Sequence, residues 1–162
     1  MINLTEEHLD RYSRHIILSE VGPEGQSKLL ESRVLVVGTG GLGSPVSLYL
    51  AAAGVGTIGI VDADVVELSN LQRQVIHSTA DLNRPKVESA AAKMKAINPE
   101  IEVEKWLLYV DASNIADIIR KYDFVIDGTD NFSTKFLVND ACVMAGIPFS
   151  HGEILRFDGQ TM

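Results

Sequence analysis

Residues 33–43, Arg-Val-Leu-Val-Val-Gly-Thr-Gly-Gly-Leu-Gly, join a short apolar run to a glycine-rich turn. The run has the length and valine content of a buried strand, and a helical pattern from Ser44 to Ala53 follows the turn. A strand before and a helix after the turn are the setting in which a G-x-G-x-x-G motif binds phosphate. These residues therefore predict a nucleotide-binding α/β fold.

The four glycines of the turn have different expected roles. We expect Gly38 to allow the tight turn, Gly40 and Gly41 to bring backbone amides close to phosphate, and Gly43 to let the helix pack against the strand. A glycine-rich turn that binds nothing is the alternative. No Gly-Lys-Ser/Thr sequence ends the turn, so a P-loop is excluded as the phosphate-binding device.

Strand and helix patterns alternate along the rest of the chain. Such alternation predicts a Rossmann-like, doubly wound, mainly parallel sheet with helices on both faces. From Thr5 to Leu18, apolar residues recur at near-helical spacing and add an N-terminal helical extension, with Arg11 and Arg14 on one face. These apolar residues are Leu9, Tyr12, Ile16 and Ile17. The predicted strands are 33–37, 56–61, about 101–109, 123–127 and about 147–151, and the predicted helices are about 41–53, 85–97, 113–121 and 132–145. Residues 154–162 predict one further strand region, with Asp158-Gly159 as a hairpin turn.

Length and composition limit the class of protein. A chain of 162 residues predicts one domain, 1–162. No apolar run approaches the roughly 18 residues of a membrane span, and Glu6, Glu7 and Asp10 are unlike a signal peptide, so we expect a cytoplasmic protein without a membrane partner. A net charge of −8 argues against a nucleic-acid partner, which favours a basic face. The four histidines are scattered, and surface or core packing is expected for each.

The loop after the second predicted strand supplies charged side chains. Asp62 follows the glycines by roughly 20 residues, the offset at which a carboxylate contacts ribose hydroxyls. A nicotinamide cofactor site needs little more than this ribose-binding carboxylate. A triphosphate, in contrast, carries about four negative charges that fixed cations must neutralise. Arg73 is placed to meet them, and so is Lys86, which follows a helix-starting proline. A solvated helix lysine is the alternative for Lys86. Asp64 and Glu67 are either ligands or solvated loop carboxylates.

Another acidic turn follows the strand predicted at 123–127. Asp130 and Asn131 leave the carboxyl end of that strand, the edge at which open α/β sheets bind ligands. A carboxylate there can hold Mg²⁺, which otherwise takes waters and phosphate oxygens. Asp130 or Asn131 could equally cap the helix that begins near Phe132. Considered alone, the residues leave both interpretations open.

Several separated motifs, taken together and in order, resemble the MoeB/ThiF/HesA group of adenylating enzymes, which are similar to the nucleotide-binding domain of ubiquitin-activating enzymes. The motifs are Arg14, residues 38–43, Asp62, Ser69-Asn70-Leu71-Gln72-Arg73-Gln74, Arg84-Pro85-Lys86 and Thr129-Asp130-Asn131. The resemblance covers essentially the whole chain. It implies that ATP adenylates the C-terminal glycine carboxylate of a small ubiquitin-like sulfur-carrier protein ending in Gly-Gly, of the MoaD or ThiS type, with release of pyrophosphate. Molybdenum-cofactor and thiamine biosynthesis are the implied pathways.

The resemblance also assigns residues. It implies catalytic roles for Arg14, Arg73, Lys86 and Asp130, with Mg²⁺ on Asp130, and it implies that Arg14 reaches the triphosphate bound by the other subunit of a homodimer. A solvated helix arginine is the alternative for Arg14. The implied nucleotide contacts are Gly38, Gly40, Gly41, Gly43, Asp62, Ser69, Asn70, Leu71, Gln72, Arg73, Lys86, Asp130 and Asn131.

The chain departs from the family pattern in two respects. The family's further C-terminal region, with two C-x-x-C pairs that bind structural zinc and a loop bearing a cysteine, is absent, so zinc is not expected. Cys142 lies in an apolar helical pattern and is interpreted as a buried thiol. Glu153 stands where a small residue is expected. The chain is then a fragment or a naturally short half. Two alternatives to adenylation are a non-catalytic module that binds ATP and dimerises, and an NAD-dependent oxidoreductase.

Overall fold

A computed structural model describes residues 3–162 of the chain. Its centre is one six-stranded sheet. The strands are β1 (Arg33–Val37), β2 (Thr57–Val61), β3 (Glu102–Trp106), β4 (Phe124–Asp127), β5 (Phe149–Leu155) and β6 (Asp158–Thr161). Their order is β3-β2-β1-β4-β5-β6, with β1 to β5 parallel and β6 antiparallel to β5. The motif strand β1 is therefore central, and the order reverses beside it.

Seven α-helices accompany this sheet within the described residues, and the last five of them cover its two faces. They are α1 (Glu6–Arg11), α2 (Ser13–Ile16), α3 (Gly22–Glu31), α4 (Gly43–Ala53), α5 (Lys86–Ile97), α6 (Ile115–Ile119) and α7 (Phe132–Ala145). Alternate residues of β1 point to opposite faces: Val34 and Val36 pack with α4 and α5, whereas Leu35 and Val37 pack with α6 and α7. The predicted Rossmann-like class, with an N-terminal helical extension, is confirmed.

The N-terminal extension differs in detail from its prediction. Tyr12 interrupts the predicted helix because its ring is buried against Gly54, where an added Cβ would lie 2.5 Å from the ring. Its hydroxyl accepts a hydrogen bond from Asn98 Nδ2 at 2.8 Å. Tertiary packing thus overrides the local helical pattern at this residue. Helix α3, which comes after this extension, was not predicted.

Other boundaries also differ, and β5 spans Phe149–Leu155 and not about 147–151. β3 ends at Trp106 and not near 109, and α6 spans five residues and not nine. The hairpin turn predicted at Asp158-Gly159 was wrong. Leu155 pairs with Asp158, so Arg156 and Phe157 form the two-residue loop, and Arg156 takes a left-handed φ of 59°. Within residues 3–162, no helix combines the length and the apolar character needed to cross a bilayer.

Candidate functional site

The glycine turn after β1 is held by close backbone contacts. Gly38 has a φ of 87°, a left-handed conformation that favours glycine. A Cβ on Gly43 would lie 1.8 Å from the Gly38 carbonyl oxygen, and a Cβ on Gly128 would lie 2.9 Å from the Gly43 nitrogen. The predicted roles of Gly38 and Gly43 in the turn are confirmed. Only residues without side chains allow β1, β4 and α4 to approach so closely.

A cavity of about 600 Å³ opens at the carboxyl edge of the sheet, over this turn. We call it the main cavity. It brings together residues that follow β1, β2, β3 and β4, as expected at the point where the strand order of an α/β sheet reverses. The predicted site residues in its lining are Gly38, Gly40, Gly41, Asp62, Arg73, Lys86, Asp130 and Asn131.

Asp62 is fixed at the floor of the main cavity. Its Oδ2 accepts hydrogen bonds from the Thr39 amide at 2.9 Å and the Thr39 hydroxyl at 2.8 Å, and its Oδ1 accepts one from the Asp64 amide. Each carboxylate oxygen can accept more than one bond, so capacity remains for a ligand hydroxyl. The carboxylate is thus oriented by the same turn that would bind phosphate.

His77 supports this turn from behind. The ring is buried, with Nε2 3.2 Å from the Thr39 carbonyl oxygen and Nδ1 2.9 Å from the Ser89 hydroxyl. Desolvation lowers the pKa of His77, which favours the neutral ring. Because the Thr39 carbonyl can only accept, Nε2 carries the proton and Nδ1 accepts from Ser89. This supporting position is more specific than the packing role that the sequence suggested.

Lys86 is buried in the wall of the main cavity and already has an acidic partner. Its Nζ lies 2.9 Å from Asp64 Oδ2, and the Tyr109 hydroxyl donates to Asp64 Oδ1 at 3.2 Å. The hydrogen bond from Lys86 is the main cause of the lowered pKa of the Asp64 carboxyl. Asp64 therefore takes part in the site, an alternative that the sequence left open.

Arg73 lies along the glycine turn. An added Cβ on Gly41 would sit 3.6 Å from Arg73 Cδ, so the aliphatic stem covers this glycine. Its Nη1 donates to the Ser69 carbonyl at 3.2 Å and to Gln72 Oε1 at 3.1 Å. In the described chain, Nε and Nη2 make no hydrogen bond, and these are the atoms that could form a bidentate contact with an anion.

Five predicted nucleotide contacts do not appear in the cavity lining: Gly43, and four residues of the loop that carries Arg73. Glu67 connects two of them, since its amide donates to Asn70 Oδ1 and its carboxylate accepts from the Ser69 hydroxyl. The four residues are Ser69, Asn70, Leu71 and Gln72. In the described conformation they position the arginine, and their contact with nucleotide stays a prediction.

The sequence left open whether Asp130 or Asn131 caps the helix. In the structure Asn131 is the cap, and Asp130 lines the cavity. Asn131 Oδ1 accepts a hydrogen bond from the Thr134 amide at 2.8 Å and caps α7. The Asp130 carboxylate is exposed to the cavity and accepts no hydrogen bond from residues 3–162. No cluster of three or more His, Cys, Asp or Glu side chains placed to hold a metal occurs in that range. One carboxylate still suits Mg²⁺, which takes its other ligands from phosphate and water.

Two buried polar side chains in the cavity lining were missed. Gln74 is 4% exposed, and its Oε1 has no partner within the described chain. Lys135 is buried, and its Nζ donates to the Gly152 carbonyl at 3.0 Å. Gln74 directly follows Arg73, which was a usable signal. Lys135 lies one helical turn beyond Asn131, but its approach to β5 depends on tertiary packing.

Arg14 lies at the opposite end of the molecule from the main cavity. α4 and α5 begin at the cavity and end beside Tyr12, which contacts Gly54 and Asn98 just beyond their last turns. An 11-residue helix is about 16 Å long, so α4 separates Arg14 from the glycine turn of its own chain. The contact of Arg14 with a bound triphosphate stays a prediction.

Comparison with known proteins identifies the family. A sequence model of the ThiF family matches residues 12–162. The chain belongs to the ThiF family. This ThiF-family chain is 55% identical over 159 residues to the SAMP-activating enzyme E1 of Haloferax volcanii, covering 98% of the chain and 59% of that protein. It is 51% identical over 156 residues to the sulfur carrier protein adenylyltransferase of Thermus thermophilus, covering 96% of the chain and 58% of that protein.

A solved structure of known function has the same fold as this chain. This ThiF-family chain superposes with a TM-score of 0.86 on the E. coli tRNA N6-threonylcarbamoyladenosine dehydratase TcdA, solved in complex with ATP. The two are 28% identical, and the match covers 91% of this chain and 60% of that one. The chain spans less than two thirds of each of these three proteins.

Proposed function

We propose that the chain adenylates a carboxylate: ATP bound in the main cavity reacts with the C-terminal glycine carboxylate of a small ubiquitin-like sulfur-carrier protein, and pyrophosphate is released. The observation that supports this most strongly is the convergence of Asp62, Arg73, Lys86 and Asp130 around one glycine turn. The name of the Thermus relative indicates the substrate class. An oxidoreductase site would give no reason for two cations and an open carboxylate beside the ribose ligand.

The chemistry needs no nucleophile from the protein. The substrate carboxylate is already ionised at neutral pH, and one of its oxygens forms the new bond to the α-phosphorus. The bond from the α-phosphorus to the bridging oxygen breaks, and pyrophosphate leaves with that electron pair. Negative charge grows on the departing group, so the catalytic requirement is fixed positive charge around it. Arg73 and Lys86 provide such charge in the cavity wall.

The proposed ligands fit what the cavity offers. Arg73 has two nitrogens without protein partners, and Lys86 keeps two N–H donors beyond the one that Asp64 accepts. Gly40 and Gly41 line the cavity, where their amides would bind phosphate, and Asp62 is oriented for ribose hydroxyls. Asp130 would hold Mg²⁺. When bound, this ion supplies positive charge to the phosphate oxygens.

A homodimer completes the proposed site. Arg14 is exposed on α2 and separated from the cavity of its own chain, so a second copy must supply it if it meets the triphosphate. An arginine delivered in this way stabilises the charge of a phosphoryl-transfer transition state. A cytoplasmic location fits a reaction that consumes ATP.

An exchange assay tests this function. Exchange of labelled pyrophosphate into ATP is measured with MoaD-type and ThiS-type carriers, and with the same carriers lacking the final Gly-Gly as matched controls. We expect exchange that requires both Mg²⁺ and an intact tail. ATP binding without exchange for any carrier would instead establish a non-catalytic module. Tighter binding of NAD than of ATP in a calorimetric titration would favour the oxidoreductase.

A further inference from the structure

The wall of the main cavity beside β4 and β5 contains a cation to which the proposed reaction has given no role. Lys135 lies in the cavity lining, and its side chain is 8% exposed. Its Nζ donates to the Gly152 carbonyl at 3.0 Å and lies 3.9 Å from Asp127 Oδ2, beyond hydrogen-bonding distance. An ammonium has three N–H donors, so donors remain for an anion in the cavity.

Asp127 forms a long ion pair with this ammonium but accepts no hydrogen bond from it. Its Oδ1 accepts bonds from the amide and hydroxyl of Thr129, at 3.0 and 2.7 Å, and its Oδ2 lies 2.8 Å from His151 Nδ1. The hydrogen bonds of this carboxylate therefore go to other groups, and its ion pair with Lys135 stays at 3.9 Å. An ammonium that donates one hydrogen bond and is ion-paired only at this distance keeps two N–H donors for an anionic ligand.

The cavity cations lie on two sides of the glycine turn. Arg73 packs on Gly41 beyond β1, and Lys86 bonds Asp64 beyond β2. Lys135 bonds Gly152 on β5, on the other side of β1 in the sheet order. Displacement at phosphorus places the entering and leaving oxygens roughly in line, on opposite sides of the phosphorus. If Arg73 and Lys86 hold the leaving pyrophosphate, the entering oxygen approaches from the side of Lys135.

We propose that Lys135 binds the substrate carboxylate and holds one of its oxygens against the α-phosphorus. This inference rests on the proposed function and adds the residue that receives the acyl substrate. Two anions must be brought together before the bond forms, and a fixed ammonium between them reduces their repulsion. The β4–β5 side of the main cavity is then a carboxylate subsite, whereas the β1–β2 side is a polyphosphate subsite.

The test separates the two subsites. For Lys135→Gln we expect ATP affinity within about two-fold of wild type by calorimetry, and carrier-dependent pyrophosphate exchange at least about 100-fold slower, as for the loss of one preorganised donor. Lys135→Arg restores most of the exchange. Lys28→Gln, which changes an exposed lysine on α3, is the matched control and leaves both quantities unchanged.

A second measurement needs no carrier protein. A glycylglycyl sulfamate of adenosine imitates the adenylated tail, and AMP lacks the acyl part. Wild type should bind the sulfamate more tightly than AMP, and Lys135→Gln should lose this preference while keeping its affinity for AMP. Thermal unfolding of both Lys135 variants checks that each is folded, and Lys135→Arg is expected to keep the preference.

Each outcome decides the matter. An ATP affinity reduced ten-fold or more in folded Lys135→Gln would make Lys135 a phosphate ligand and overturn the inference, as would unchanged exchange. If wild type binds ATP but exchanges with no carrier, the proposed function fails while the sulfamate comparison still tests Lys135. If wild type does not bind ATP, the proposed function and the proposed role of Lys135 are both refuted.

Discussion

Replacing Arg73 by alanine tests the electrostatic basis of the proposed reaction. The guanidinium has five N–H donors, and the two on Nη1 are bonded to the Ser69 carbonyl and Gln72 Oε1. The three donors on Nε and Nη2 are those that an anion over Gly41 could use. Removing one preorganised donor group costs about 2.7–4 kcal/mol of transition-state stabilisation, so pyrophosphate exchange should slow by about 10²–10³-fold.

The same substitution should barely change folding stability. Arg73 is exposed, and both of its hydrogen bonds stay within its own loop, so we expect a change within about 0.5 kcal/mol by urea denaturation. Arg73→Lys keeps the charge but loses the fork, and should give an intermediate rate. Arg120→Ala, another exposed arginine, is the matched control. Exchange by Arg73→Ala at the wild-type rate, or an equal loss in Arg120→Ala, would refute the assignment of Arg73 to phosphate.

Three further predictions concern the turn and its support. Gly43→Ala should lower the free energy of unfolding by about 3 kcal/mol or more and abolish ATP binding, because its Cβ would lie 1.8 Å from a backbone oxygen. Gly40→Ala is the control. Its Cβ would lie 3.7 Å from Gln74 Nε2, so the thermal midpoint should be unchanged. Desolvation lowers the pKa of His77 below the 6.5 of the unfolded chain, so the folded state binds fewer protons than the unfolded state. The contribution of His77 to stability is therefore complete above pH 6.5 and declines as the pH falls towards the folded pKa. When the free energy of unfolding is measured between pH 5 and 8, it should decline less steeply with falling pH in His77→Gln than in wild type. Burial raises the pKa of Cys142 to about 11, so a thiol reagent at pH 8 should label this residue only after unfolding, and rapid labelling of the folded chain would contradict its assignment as a buried structural thiol.

Local sequence patterns predicted the central part of the fold well. Residues 33–43 combine a buried strand with a turn that only glycine can form, and the structure has the strand, the left-handed Gly38 and the tightly packed Gly43. The position of Asp62 followed from its offset along the chain. These features depend on short-range steric rules, which act in the same way in any tertiary setting.

The features that were missed depend on residues distant in sequence. Tyr12 interrupts a helical pattern because Gly54 and Asn98 provide a buried site for its ring. Asp158-Gly159 has the composition of a hairpin turn, yet the register with β5 places both residues in a strand. The local preference was real in each case, but tertiary contacts outweighed it.

The candidate site shows the same limit. Sequence spacing identified Lys86 but not its ion pair with Asp64, which forms across 22 positions of chain. Lys135 carries no motif of its own, and only the parallel pairing of β4 with β5 brings Gly152 to its ammonium. Spacing can therefore identify residues that follow strand ends, but not side chains that reach the same place from a helix.

The length of α4 has a kinetic consequence. The glycine turn precedes the first residue of α4, and the segment that carries Arg14 packs beyond its last turn, so the proposed site uses Arg14 of a second molecule. If Arg14 takes part in the reaction, turnover per molecule should decline on dilution below the dissociation constant for self-association, and an excess of catalytically dead subunits that retain Arg14 should restore it.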